Sequence, residues 1–163
     1  MPIKCESLGA FNKLMAEIPD ILQQEIYRSL SYLGEQCIKR IRDRSGENSW
    51  FDQTGNLRSS IGYAVYGKGR KIIESEFEVV KVGSQGASKG KMMIDELASK
   101  YAEVFALVVV AGMDYADAVE ARDNKDVLAS TELLAKSKVQ EYLDKAKERA
   151  ETRIVKYCQQ LGL

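Results

Sequence analysis

The chain predicts an α+β fold: an antiparallel β-sheet of two hairpins, packed by long N-terminal and C-terminal helices. Apolar residues recur at steps of three or four near both ends, which is the stripe of an amphipathic helix. The middle of the chain alternates with period two, the signature of half-buried strands. Glycine-bearing turns separate the alternating segments, and that order of elements is the order of an α+β domain. With 163 residues, 45% hydrophobic and 29% charged, the composition is that of one globular domain spanning 1–163 and far from that of a disordered chain.

Phe11, Met15, Ile18, Leu22, Ile26, Leu30, Leu33, Cys37 and Ile41 trace one stripe of the first helix. Pro19 lacks a backbone donor and clashes with the turn before it, so a kink or break is expected there, with the longer piece running from about Asp20 to Arg44. Polar residues and Gly46 end that helix. A first hairpin follows from Ser60 to Val82: Ile61, Tyr63 and Val65 share one face, Gly67 to Lys71 turn the chain, and Glu74, Glu76 and Glu78 alternate with Ile73, Ser75, Phe77 and Val79. Gly83 to Lys91, small and rich in glycine, reads as an exposed mobile loop, followed by a short helix with Met93, Leu97 and Tyr101 on one face. The apolar run Val104–Ala111 reads as a central strand, and Tyr115 to Ala121 as its return strand. From about Asp126 to Leu161 the helical period resumes, with Gly162 placed to stop it.

Function classes narrow by elimination. The chain has no histidine, which removes Ser-His-Asp and Cys-His nucleophile pairs and the commonest metal ligand. Three widely spaced cysteines, Cys5, Cys37 and Cys158, imply no disulfide framework and suit a reducing cytosol. The longest apolar run, Val104 to Met113, is about half of the roughly 20 residues a membrane span needs. Asp114, Asp117, Glu120, Asp123 and Asp126 are the residue type that holds Mg2+ in a nuclease, but their spacing follows no cation loop. The glycines around Lys68, Arg70, Lys71, Lys89 and Lys91 fall short of a phosphate loop, so no cofactor is expected. Those lysines and arginine, with Lys81, would at most meet nucleic-acid backbone, which keeps a small nucleic-acid-binding module as an alternative. Net charge is zero but uneven: residues 39–71 hold eight Lys/Arg against three Asp/Glu, and residues 72–132 hold six against twelve. Such blocks suit docking onto a surface of opposite sign.

Two stretches are more specific. Thr54 to Ile61, with Thr54, Gly55, Leu57, Arg58 and Ile61 in a T-G-x-L-R-x-S-I order, resembles the signature before the first strand in the neck, or tail-completion, proteins of long-tailed bacteriophages, the gp-ten-like minor tail family. Tyr115, Ala116, Val119 and Glu120 look like that family's second signature, and the order of elements is similar over nearly the whole chain. The chain departs from the family pattern at Ala121, where many relatives carry glycine, and at Asp126-Val127-Leu128, where they carry Pro-Phe-Leu; residues 83–101 look like an insertion. The resemblance implies a virion structural protein that joins head to tail or completes the tail and acts by assembly, without enzymatic turnover. It implies a ring of copies around the DNA channel, neighbours in the head–tail connector or tail tube, and a place in the virion after a stay in the bacterial cytoplasm. It further implies that Thr54 and Gly55 turn the chain, that Leu57 and Ile61 enter the core, and that Arg58 pairs with Glu120. Trp50 and Phe51 would then lie against a helix end or a neighbouring subunit, and the basic loops would face DNA without reading its sequence.

Overall fold

A computed structural model of the chain describes residues 7–45, 49–101, 103–122 and 125–163. In order these form α1 (Ser7–Arg42), α2 (Asn56–Ser59), β1 (Ile61–Gly67), β2 (Arg70–Glu74), α3 (Ser84–Leu97), a 3-10 turn (Ala98–Tyr101), β3 (Ala106–Ala111), α4 (Ala116–Arg122) and α5 (Ala129–Leu161). The class is α+β, with long helices at both ends and an antiparallel sheet in strand order β2-β1-β3. The chain divides into two units, residues 1–29 with 140–163 and residues 30–139.

In the first unit, α1 passes through Pro19 without a break. Pro19 is exposed, while Leu14 and Ile21 on either side of it are buried, so one missing backbone bond is outweighed by the ladder and packing around it. Tyr142, Ala146 and Ala150 of α5 are buried here too. The expected apolar stripe is only partly covered: Phe11, Met15 and Leu22 remain exposed. The polar centre is Glu25, 3% exposed. Its carboxylate accepts from Arg149 Nε at 2.8 Å and from Arg153 Nη1 at 2.9 Å. Burial pushes the Glu25 carboxyl up, but the two guanidinium groups outweigh it and hold it below the ordinary glutamate value. A carboxyl lowered in the folded state contributes stability above its unfolded value, about 4.3, that is lost as pH falls through the lower folded value. The urea midpoint should therefore fall as pH drops from 6 toward 3, and Glu25→Gln should flatten that fall; an unchanged slope would show that the pair does not contribute.

In the second unit, β1 is the central strand and all seven of its residues are buried. On one face Tyr63 packs so closely on α1 that a Cβ on Gly34 would come within 2.5 Å of its ring, and its hydroxyl meets Ser31 Oγ at 2.7 Å and Glu35 at 3.0 Å. On the other face Ala64, Tyr66 and Val110 pack with Ile94 of α3, and the Tyr66 hydroxyl donates to the Ile94 carbonyl at 2.6 Å. The sheet is therefore covered on both sides, more fully than the single buried face the alternation predicts.

Three expected elements take other forms. The hairpin's second strand stops at Glu74, because the Ser75 hydroxyl accepts the Tyr63 N–H at 2.9 Å in place of a ladder carbonyl. The expected return strand, Tyr115 to Ala121, is α4: Tyr115 and Val119 are four apart and share a helix face, and the Val119 N–H bonds the Tyr115 carbonyl at 3.0 Å. One hairpin and a third strand thus stand where two hairpins are expected. The expected mobile loop at 83–91 is the first half of α3. Its glycines are contact points. A Cβ on Gly86 would overlap the Asn56 carbonyl, and one on Gly90 would lie 2.5 Å from the Ser60 carbonyl. The low helix propensity of glycine, about 1 kcal/mol per residue, is outweighed by the close approach it permits.

Candidate functional site

The residues from Trp50 to Ser59 form a tight platform after α1. Asp52, 9% exposed, organises it: its carboxylate accepts the Gly55 N–H at 2.9 Å and the Arg58 N–H at 2.8 Å, fixing the turn that starts α2. Gly55 sits at φ +81°, and a Cβ there would overlap the Val80 carbonyl, so only glycine fits. The far side is latched by residues 80–86. Val80 donates to Ser59 Oγ at 2.8 Å, Lys81 Nζ to the Asp52 carbonyl at 2.6 Å, and Gly86 N–H to Asn56 Oδ1 at 3.0 Å. Leu57 and Ile61 are buried, as the resemblance implies.

Arg58 and Glu120 do not pair. The Arg58 guanidinium lies over the Trp50 ring at 4.8 Å. It donates to the Arg42 carbonyl, to the Arg44 carbonyl at 3.1 Å and to Ser49 Oγ at 3.1 Å, so it closes the carboxyl end of α1, where carbonyls lack helical partners. Glu120 instead accepts the N–H groups of Ala129 at 2.8 Å and Leu128 at 3.2 Å, at the amino end of α5. Both charges are drawn to the nearest unsatisfied helix end.

Arg44 joins those two ends. Its guanidinium forms an ion pair with Asp126 at 3.1 Å and donates to the Asp126 carbonyl, to Ser130 Oγ at 3.1 Å and to Thr131 Oγ1 at 3.2 Å. Burial pushes the Asp126 carboxyl up, but hydrogen bonds from Ser130 and the Arg44 charge hold it below its ordinary value. Acid loss of stability that persists in Glu25→Gln is expected to come from this group.

The two signature stretches meet in one groove of about 550 Å³, walled by Trp50, Phe51, Thr54, Leu57, Tyr115 and Val119. Ala116, the signature residue next to Tyr115, is buried. Phe51 is 84% exposed, with Lys81 Nζ 5.7 Å from its ring centroid. Trp50 is buried, and its indole N–H meets no acceptor among the described residues. Burial pushes the Tyr115 hydroxyl pKa up, Asp52 adds to that, and Lys89 opposes it. A groove of mixed lining, in which Asp52, Gln53 and Lys125 stand beside the aromatic rings, with an exposed aromatic lip and an unpaired indole donor in its wall, suits a protein contact.

The basic residues do not converge on it. Lys71 is tied to Glu74 and to Asp95 at 2.5 Å, and Lys89 to Asp114. Lys68 and Arg70 are exposed at the β1–β2 turn, and Lys91 on α3. Among the described residues no three carboxylates or cysteines gather as metal ligands; Asp123 lies outside those residues. Cys37 and Cys158 are free thiols, and Cys5 lies outside the described residues. No described helix is long and apolar enough to cross a membrane. Asp52, Arg44 and Gly86 carry much of this arrangement without having stood out as site residues. Only Asp52 had a legible signal, an aspartate three residues before a turn glycine. No family model matches the chain, and no curated protein and no solved structure matches it either.

Proposed function

We propose that the chain is a virion structural protein of a long-tailed phage or prophage, which joins head to tail or completes the tail by assembling around the DNA channel. The observation that carries this reading is the convergence of the two signature stretches, more than fifty residues apart, on one groove with the exposed Phe51 at its lip. The charges support it as well: Arg58, Glu120 and Arg44 serve helix ends and are taken up by structural contacts. Such a site docks a neighbour; it does not turn over a substrate. The partners are further copies in a ring and the adjoining connector or tail-tube proteins, with the exposed Lys68, Arg70 and Lys91 free to meet passing DNA without reading it. The nucleic-acid-module alternative is less favoured, because Lys71 and Lys89 are already neutralised by carboxylates.

Deletion of the gene from an inducible prophage is expected to yield separate heads and tails by microscopy. Phe51→Ser, at a side chain already in solvent, should fold like the parent and fail to restore joining. Intact infectious particles from the deletion would overturn the reading.

A further inference from the structure

The two edges of the sheet are built differently. β2 carries Arg70, Lys71 and Glu74, its register with β1 shifts between Val65 and Tyr66, and its ladder ends at the Ser75 hydroxyl. Charge and irregularity of this kind oppose strand addition. β3 is the opposite: Ala-Leu-Val-Val-Val-Ala, inside the uncharged run from Val104 to Met113. The residues just before it, Val104 and Phe105, are 53% and 47% exposed.

The ladder shows which main-chain groups of β3 are free. Gly112 N–H bonds the Ser60 carbonyl at 3.1 Å, and the register runs from Ile61↔Ala111 to Tyr66↔Ala106. Hydrogen-bonded pairs alternate along an antiparallel ladder, so Val108 and Val110 turn their N–H and C=O toward β1, whereas Leu107, Val109 and Ala111 turn theirs outward. Among the described residues nothing meets these outward groups. Beside this edge lies a cleft of about 340 Å³, walled by Ile41, Leu107, Val109 and Leu128 and bordered by the charged Glu132 and Lys136 of α5.

We propose that the β3 edge is a self-association surface, on which β3 of a second copy adds antiparallel to make a six-stranded sheet across a two-fold axis. In such a pair outward residues must face outward residues. Pairing centred on Val109 sets Val109 against itself and Leu107 against Ala111, so large meets small and no charge lies within the paired strands. The chain's other edge would carry Arg70, Lys71 and Glu74 onto an apolar strand, which selects β3 as the occupant. A six-residue strand pair alone falls short of the roughly 1,000 Å² of a specific interface, and the exposed Val104 and Phe105 extend the patch on both copies. The contact depends only on the strand edge, so it does not require the neck reading: a dimer with intact head–tail joining after deletion would uphold one and sink the other.

Sedimentation equilibrium combined with residue-resolved amide exchange tests this. As concentration rises, the mass should move from one chain toward two, and the amides of Leu107, Val109 and Ala111 should gain protection of about tenfold or more while those of Val108 and Val110 stay unchanged. Val109→Pro removes one outward donor and none of the β1–β3 ladder, a position where an edge strand tolerates proline, and should stay folded by circular dichroism and monomeric. If that variant unfolds, the exchange pattern of the parent chain decides alone. A monomer up to about 1 mM, or a dimer in which those three amides exchange as in the monomer, would overturn the proposal.

Discussion

Gly86→Ala is expected to be among the most damaging single-methyl changes in this protein, costing about 3 kcal/mol or more in urea unfolding. The new Cβ would overlap the Asn56 carbonyl, and backbone cannot swing aside as a flexible side chain can. Relief requires α3 to lift from α2, which breaks the Gly86 N–H to Asn56 Oδ1 bond and loosens Ile94 from the Tyr66 cluster. Gly9→Ala makes the same chemical change inside α1, where nothing lies within 4 Å, and should be neutral or stabilise by up to about 1 kcal/mol. Opposite signs for the two substitutions would establish that residues 84–91 are a packed helix. A neutral Gly86→Ala, or early proteolysis at Lys89 or Lys91, would restore the loop that composition suggests.

The second large effect is expected at Arg58. Removing its guanidinium strips the last α1 carbonyls of their donor and uncovers the Trp50 ring. Charge-assisted hydrogen bonds contribute about 1.5–3 kcal/mol, and because Arg58 is only half-buried, Arg58→Ala should cost about 2–3 kcal/mol in denaturant unfolding. Glu120→Ala removes a carboxylate from the start of α5 and should cost about 1 kcal/mol. Because the two side chains share no partner, the double variant should equal the sum of the singles within about 0.5 kcal/mol. A coupling larger than about 1 kcal/mol would mean that they meet in solution as the family resemblance implies.

Residues 83–91 and 115–121 show how sequence reading goes wrong. Glycine content and period-two spacing are local statistics, and both stretches were open to two interpretations. Gly86 and Gly90 lower helix propensity, yet in three dimensions their missing side chains are what allows α3 to touch the Asn56–Ser60 backbone. Tyr115 to Ala121 is too short for its alternation to exclude a helix, and the helix sets Tyr115 and Val119 on one face, in the wall of the groove they share with Trp50.

By itself the sequence determined the α+β class, the two long terminal helices, the buried strand at Ile61–Tyr66 and the turn at Gly55, because apolar periodicity and a left-handed glycine are local properties that packing reinforces. Only the tertiary structure decided where the charges go. Arg58 was matched by sequence to a distant carboxylate of opposite sign, but the nearer and less satisfied groups were the open carbonyls at the end of α1, and Glu120 likewise found the open N–H groups of α5. Which edge of the sheet stays open, and which stretches meet in the Trp50–Tyr115 groove, are matters of long-range pairing that no local pattern encodes.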